Sequence, residues 1–159
     1  NNFFIQIITN IGGTSADMGN AVFVAAMLEL PTMAFFSKMS EKINCGTLIK
    51  FSILMFCVKH ALTYFATNMI MIYLAQVCQM FAYALFIPAS VYYVNEKIAL
   101  ADRVKGQSLV TTSMTLSGVF ANFAGGIMLD ALGVGHVLLA GIILSIVGAI
   151  IVILTTEKV

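Results

Sequence analysis

The chain consists of long apolar runs separated by short polar segments. A short apolar run covers residues 1–11, and longer ones cover 18–37, 47–66, 69–94, 108–129 and 136–156. A transmembrane helix needs about 20 consecutive apolar residues, whereas a membrane β-strand alternates apolar and polar positions. Each long run here is apolar on all sides, so it is predicted to be a helix. The predicted fold class is all-α: a polytopic transmembrane helix bundle of five full spans plus the end of a sixth.

The composition agrees with lipid as the surroundings of most of the surface. Of the 159 residues, 60% are hydrophobic and 9% are charged, and the mean hydropathy is +1.00. A soluble domain carries about 25% charged residues. The net charge of +1 and the lack of a basic run argue against a nucleic-acid partner. Cys45, Cys57 and Cys78 form no close-spaced pair, so they are predicted to be small packing residues, and no metal or cofactor is expected.

Lysine and arginine are confined to alternate loops. The turns at residues 12–17, 67–68 and 130–135 contain neither residue. Seven of the eight basic residues flank the other loops or the C-terminus: Lys38, Lys42, Lys50, Lys97, Arg103, Lys105 and Lys158. Short loops rich in Lys and Arg stay in the cytoplasm. The loops at 38–46 and 95–107 and the C-terminus are therefore predicted to be cytoplasmic, and the expected location is a bacterial inner membrane.

Two ionisable residues lie inside predicted spans. Glu29 is nine residues before Lys38, and Lys59 is nine residues after Lys50, which places both about 13–14 Å from the cytoplasmic edge. A charge at this depth is costly and usually marks a partner, a cavity or an ion path. In one interpretation Glu29 binds a proton or a polar substrate with Lys59 as its counter-ion; in the other the two form a structural salt bridge. Pro31, just beyond Glu29, predicts a bend in this helix.

Uncharged polar side chains inside the spans are candidates for hydrogen bonds to a solute. Gln79 and Tyr83 are four residues apart and share a helix face. Thr115 and Asn122 lie in the fifth span, where interhelical hydrogen bonds would also explain them. His60 is predicted to be a satisfied interhelical histidine. The predicted substrate- or proton-binding set is Glu29, Lys59, Gln79, Tyr83, Thr115 and Asn122.

Small residues recur every four positions in the last two spans. Such stripes allow helices to approach closely where lipid provides no hydrophobic driving force. The stripes are predicted packing faces and consist of Ser113, Ser117, Ala121 and Gly125 in the fifth span, and Gly141, Ser145 and Ala149 in the sixth.

Three segments follow one another in an order typical of one transporter family. They are residues 37–42 (SKMSEK), 101–107 (ADRVKGQ) and 125–133 (GGIMLDALG). The chain resembles the C-terminal half of the major facilitator superfamily, in which these segments are similar to the loop between helices eight and nine, the loop before helix eleven and the end of helix eleven. The resemblance implies that residues 1–11 end helix seven and that an N-terminal half of the protein precedes this chain.

Within this superfamily the chain looks most like the branch of lactose permease and the nucleoside:proton symporters. In lactose permease, helix eight carries a sugar-binding Glu and helix nine an Arg important for proton coupling, and Glu29 and Lys59 stand at the matching places. Lysine lacks the bidentate fork of arginine. The segment Gln79-Met80-Phe81-Ala82 also lacks the His and the Glu of the matching helix-ten segment. The resemblance therefore implies that proton coupling depends on Glu29 or on the missing half.

The family resemblance also implies a function. We expect a secondary active transporter that moves a small polar solute by alternating access, coupled to protons. The alternatives are a drug or sugar efflux pump of the same superfamily and a structural membrane protein without transport. An enzyme is not expected, because His60 and His136 are far apart in depth and no convergent catalytic set accompanies them. The expected partners are the solute, protons, the lipid bilayer and the N-terminal half.

Overall fold

The computed structural model describes residues 3–157, and the regular structure in that range is helical. A short helix, α1 (Phe4–Asn10), precedes five long ones: α2 (Ser15–Ser40), α3 (Cys45–Tyr64), α4 (Met69–Lys97), α5 (Arg103–Leu132) and α6 (Val134–Thr155). A 3-10 turn, Leu100–Asp102, leads into α5. The five long helices are long and apolar enough to cross a membrane. The predicted all-α polytopic bundle is confirmed.

The long helices extend beyond the apolar runs from which they are predicted. α2 covers Ser15–Ser40 where the pattern predicts 18–37, and α5 covers Arg103–Leu132 where it predicts 108–129. Backbone hydrogen bonds continue through the polar ends: the 29 residues of α4 make a helix about 43 Å long, which exceeds the hydrocarbon core of about 30 Å. The predicted loop at 95–107 is in consequence mostly helical, and only residues 98–102 lie between α4 and α5.

Side chains of short polar residues define where the long helices begin. Thr14 and Asp17 form a reciprocal capping box on α2, in which the Asp17 carboxylate accepts a hydrogen bond from the Thr14 backbone N–H at 2.8 Å. Asn44 caps α3 and Asn68 caps α4 with their side-chain oxygens. Gly133 alone joins α5 to α6, with φ 82° and ψ 176°, a conformation open essentially only to glycine.

Pro31 lies inside α2 without breaking it. The helix is continuous from Ser15 to Ser40, although proline cannot donate to the carbonyl of Met27. The Thr32 hydroxyl donates to the adjacent carbonyl of Leu28 at 3.2 Å. The segment that carries Glu29 is therefore regular helix on both sides of the proline.

The central pair of the bundle is α3 and α4, with α2 packed on α4 and α6 packed on α3. Two clusters of buried side chains hold these helices together at opposite ends. The cluster near the 41–44 loop joins α2, α3 and α4 through Phe36, Leu48, Ile49, Leu85 and Ala89. The cluster at the other end joins α1, α2 and α4 through Phe4, Ile8, Ala21 and Ile72.

The fifth span contributes little to this core. Gly106 is the one buried residue that α5 presents within the described range. Ser113, Ser117 and Ala121 are exposed, so the prediction of a packing face on this helix is wrong for these three residues inside this bundle. It holds for Gly125, where an added Cβ would lie 2.6 Å from the Phe3 ring. α5 meets its neighbours α4 and α6 over short stretches only. The prediction agrees better with α6, where Ala149 is buried.

Candidate functional site

A hydrogen-bonded network links three helices in the interior of the bundle. The Gln79 side-chain amide on α4 donates from Nε2 to the Glu29 carboxylate oxygen Oε1 on α2, at 3.0 Å. The Lys59 ammonium on α3 donates to the Oε1 of the same glutamine. All three side chains are half-buried. The Gln79 carboxamide therefore donates a hydrogen bond to the acid and accepts one from the base.

Glu29 and Lys59 are thus bridged and do not pair directly. Among the residues described, the ion pairs within 4.0 Å are those of Lys97 with Glu157 and of Lys105 with Asp102. Glu29 and Lys59, for which the sequence predicts matched depths, belong to the same network. Lys59 is however not in direct contact with Glu29, so the predicted counter-ion acts through Gln79. The acid and the base each keep a charge-assisted hydrogen bond to a neutral group, which is stronger than a neutral one.

A cavity of about 370 Å³ lies beside this network, lined by residues of α1, α3, α4, α5 and α6. Most of its wall is apolar. Its polar members are Lys59, His60, Thr63, Gln76 and Asn122. The Thr63 hydroxyl donates to the backbone carbonyl of Lys59 at 2.9 Å. Lys59 therefore belongs both to the network with Gln79 and to the wall of the cavity, and Asn122 is the one further predicted site residue on that wall.

Two cavity residues differ from what the sequence indicates. Gln76 is absent from the predicted set, yet it is only 3% exposed and its side chain makes no hydrogen bond within residues 3–157. The signal that could have found it is its polarity inside an apolar run, three residues before Gln79. His60 stacks on Phe56 with ring centroids 6.4 Å apart, but its Nδ1 is buried without a partner in the described chain. The expectation of a satisfied histidine is therefore wrong for this nitrogen, because no polar group of a neighbouring helix reaches it.

The structure does not bring the other predicted residues to the network. Tyr83 is 46% exposed and forms no hydrogen bond with the Gln79 amide in the part of the chain described. The Thr115 hydroxyl donates to the carbonyl of Thr111 on its own helix at 3.0 Å and is exposed. Within residues 3–157, no three His, Cys, Asp or Glu side chains are arranged to hold a metal ion.

A second polar cluster ties the end of α6 to the end of α4. The Glu157 carboxylate forms an ion pair with the Lys97 ammonium, and the Glu157 backbone N–H donates to the Tyr93 hydroxyl at 3.3 Å. The hydrogen bond from Lys97, together with its positive charge, lowers the pKa of the Glu157 carboxyl below its ordinary value. Lys158, predicted to be cytoplasmic, lies outside the described residues.

Helices of membrane-spanning length around a half-buried Glu–Gln–Lys network define an integral membrane protein with a polar interior, the class to which transporters belong. The family model of the Major Facilitator Superfamily matches residues 1–159. The chain belongs to this superfamily of membrane transporters. No curated protein and no solved structure matches it. The predicted resemblance to the superfamily is confirmed.

Proposed function

We propose that this chain is the C-terminal half of a secondary active transporter that moves a small polar solute by alternating access, coupled to protons. In this proposal α1 ends helix seven and α2 to α6 are helices eight to twelve, with the basic loops facing the cytoplasm of a bacterial cell. The branch of lactose permease and the nucleoside:proton symporters is the one proposed. The observation that carries the proposal is the bridge formed by Gln79 between Glu29 and Lys59.

Glu29 is the proposed proton-binding group. As a carboxylate it accepts a charge-assisted hydrogen bond from the Gln79 amide, and such bonds are roughly twice as strong as neutral ones. Protonation removes the charge and weakens the link between α2 and α4. Because the Lys59 ammonium stays bonded to the other end of the amide, the base is not left without a partner. A proton on Glu29 would thus loosen one pair of helices and leave another pair joined.

The solute is proposed to meet the polar groups that this half presents around the network. Lys59 and Asn122 face the cavity, and Tyr83 is exposed on α4. These groups offer an ammonium, an amide and a hydroxyl, which suit a hydroxylated or amide-bearing solute. Alternating access then requires the second half of the protein, which would rock against this one around the solute.

Proton movement in proteoliposomes tests this proposal. The full-length protein is reconstituted with a pH-sensitive dye inside the vesicles, and gradients of lactose, uridine and adenosine are imposed one at a time. At least one gradient is expected to change the internal pH, and Glu29→Gln is expected to abolish that change. Glu41→Gln is the matched control, because Glu41 is an exposed carboxylate in the loop after α2. Unchanged proton movement in Glu29→Gln would refute the role of Glu29.

A further inference from the structure

We infer that the cavity beside Gln76 is a binding site for a small amphiphile, a molecule with an apolar body and one uncharged hydrogen-bonding group. This site shares Lys59 and Asn122 with the proposed solute site, so it deepens the proposed function; binding there can be measured without proton movement or transport, and can therefore fail independently of that function. Its volume of about 370 Å³ lies within the range of about 300–1,000 Å³ typical of small-molecule sites.

The apolar part of the cavity wall comes from several helices. Phe4 and Ile7 of α1, Met128 of α5 and Leu144 of α6 contribute to it. Leu144 lines the cavity and is also 70% exposed, so this part of the wall belongs to the outer surface of the bundle. In a membrane protein that surface gives an apolar molecule a lateral route of entry.

Two carboxamides on different helices supply the polar part of the site. Gln76 of α4 is 3% exposed and lines the cavity, and its side chain has no hydrogen-bond partner in the described range. Asn122 of α5 lines the same cavity but is exposed, and its side chain makes no hydrogen bond within residues 3–157. The nearly buried Gln76 amide carries both donors and an acceptor that no described residue satisfies. A ligand hydroxyl or amide would satisfy it.

The charges around the cavity favour an uncharged ligand group. Lys59 is the cationic residue on the wall, and its ammonium already donates to Gln79. Glu29 already balances this charge through the Gln79 bridge, so a carboxylate ligand would bring an unbalanced negative charge into a mostly apolar cavity, whereas a hydroxyl group would not. His60 also lines the cavity, but its Nδ1 is buried away from open space.

Photolabelling with a diazirine derivative of 1-octanol tests the inference. The full-length protein in lipid nanodiscs is irradiated with increasing probe, and labelled peptides are mapped by mass spectrometry. Saturable labelling is expected around Met128 and Leu144, reduced by excess 1-octanol and not by octanoate. Gln76→Leu is expected to weaken the affinity for the probe about five- to tenfold, which corresponds to the loss of one hydrogen bond of roughly 1 to 1.5 kcal/mol. Labelling that never saturates would overturn the site, and stronger competition by octanoate would overturn the uncharged group.

A pair of glycines on α6 gives a matched test of the cavity itself. Gly141 lines the cavity and Gly148 does not, and a Cβ added at either position meets no atom within 4 Å. Gly141→Leu is expected to abolish saturable labelling by filling the cavity, whereas Gly148→Leu keeps it. Ala124→Leu fills the same cavity from α5 and provides a second variant if Gly141→Leu does not fold. Saturable labelling that persists in a folded cavity-filling variant would contradict the inference.

Discussion

Replacing Gln79 by leucine removes both hydrogen bonds of the central network while keeping a side chain of similar size. Interhelical hydrogen bonds in membrane proteins contribute about 0.6 kcal/mol on average and up to about 1.7 kcal/mol, and those with a charged partner are the stronger ones. Since one bond goes to the Glu29 carboxylate and one to the Lys59 ammonium, the two together amount to about 2–3 kcal/mol.

The free energy of unfolding, measured by titration with sodium dodecyl sulfate in mixed micelles, is expected to fall by this amount in Gln79→Leu. Gln107→Leu is the matched control, because it removes two uncharged hydrogen bonds, to the Val91 carbonyl at 2.9 Å and to Asn95 at 3.3 Å, with an expected loss of about 1 kcal/mol. A double-mutant cycle of Gln79→Leu with Glu29→Gln is expected to give a coupling energy of about 1 kcal/mol. Equal losses in the two leucine variants, together with additive effects in the cycle, would refute the network as a source of stability.

Three further predictions concern other parts of the bundle. Gly13→Ala is expected to destabilise the protein by about 1–3 kcal/mol in the same titration, because its Cβ would approach the Ile8 side chain to 2.5 Å, whereas Gly19→Ala in α2, where the space is open, should stabilise by about 0.5–1 kcal/mol. Glu157 has a lowered pKa in the folded protein, so its contribution to the free energy of unfolding is fully present above the pKa of the unfolded chain and is lost as the pH falls through the pKa of the folded protein. In an NMR titration the pKa of Glu157 should rise in Lys97→Met, and an unchanged value would contradict the ion pair. Glu41→Cys, in a chain whose native cysteines have been replaced, is expected to react with an impermeant maleimide in inside-out vesicles and not in intact cells. The opposite pattern would reverse the predicted orientation.

The helices could be predicted because a membrane imposes a length on them. An apolar run of about 20 residues has few alternatives in lipid, and five such runs became α2 to α6. Their ends could not be predicted as well, since helices continue into polar segments such as 95–97 and 103–107, where hydrophobicity gives no signal.

The sequence predicts how deep the site residues lie along their helices, but not in which direction their side chains face. Counting residues from Lys38 and Lys50 places Glu29 and Lys59 at one level, since a helix rises 1.5 Å per residue. Which side chain stands between them depends on how α2, α3 and α4 are rotated about their axes, and spacing along one helix does not contain that information. Gln79 was a candidate because it is polar, and its role as a bridge required the packed structure.

The bridge also bears on the choice between a titrating site and a structural salt bridge. A direct Lys–Glu pair in a poorly solvated interior leaves one uncompensated charge whenever the other is neutralised, which costs several kcal/mol. With a carboxamide between them, Glu29 can take up a proton while the Lys59 ammonium keeps its hydrogen bond to the Gln79 oxygen. In the proposed mechanism this arrangement lets Glu29 lose its charge while Lys59 keeps a partner, which a direct salt bridge would not allow.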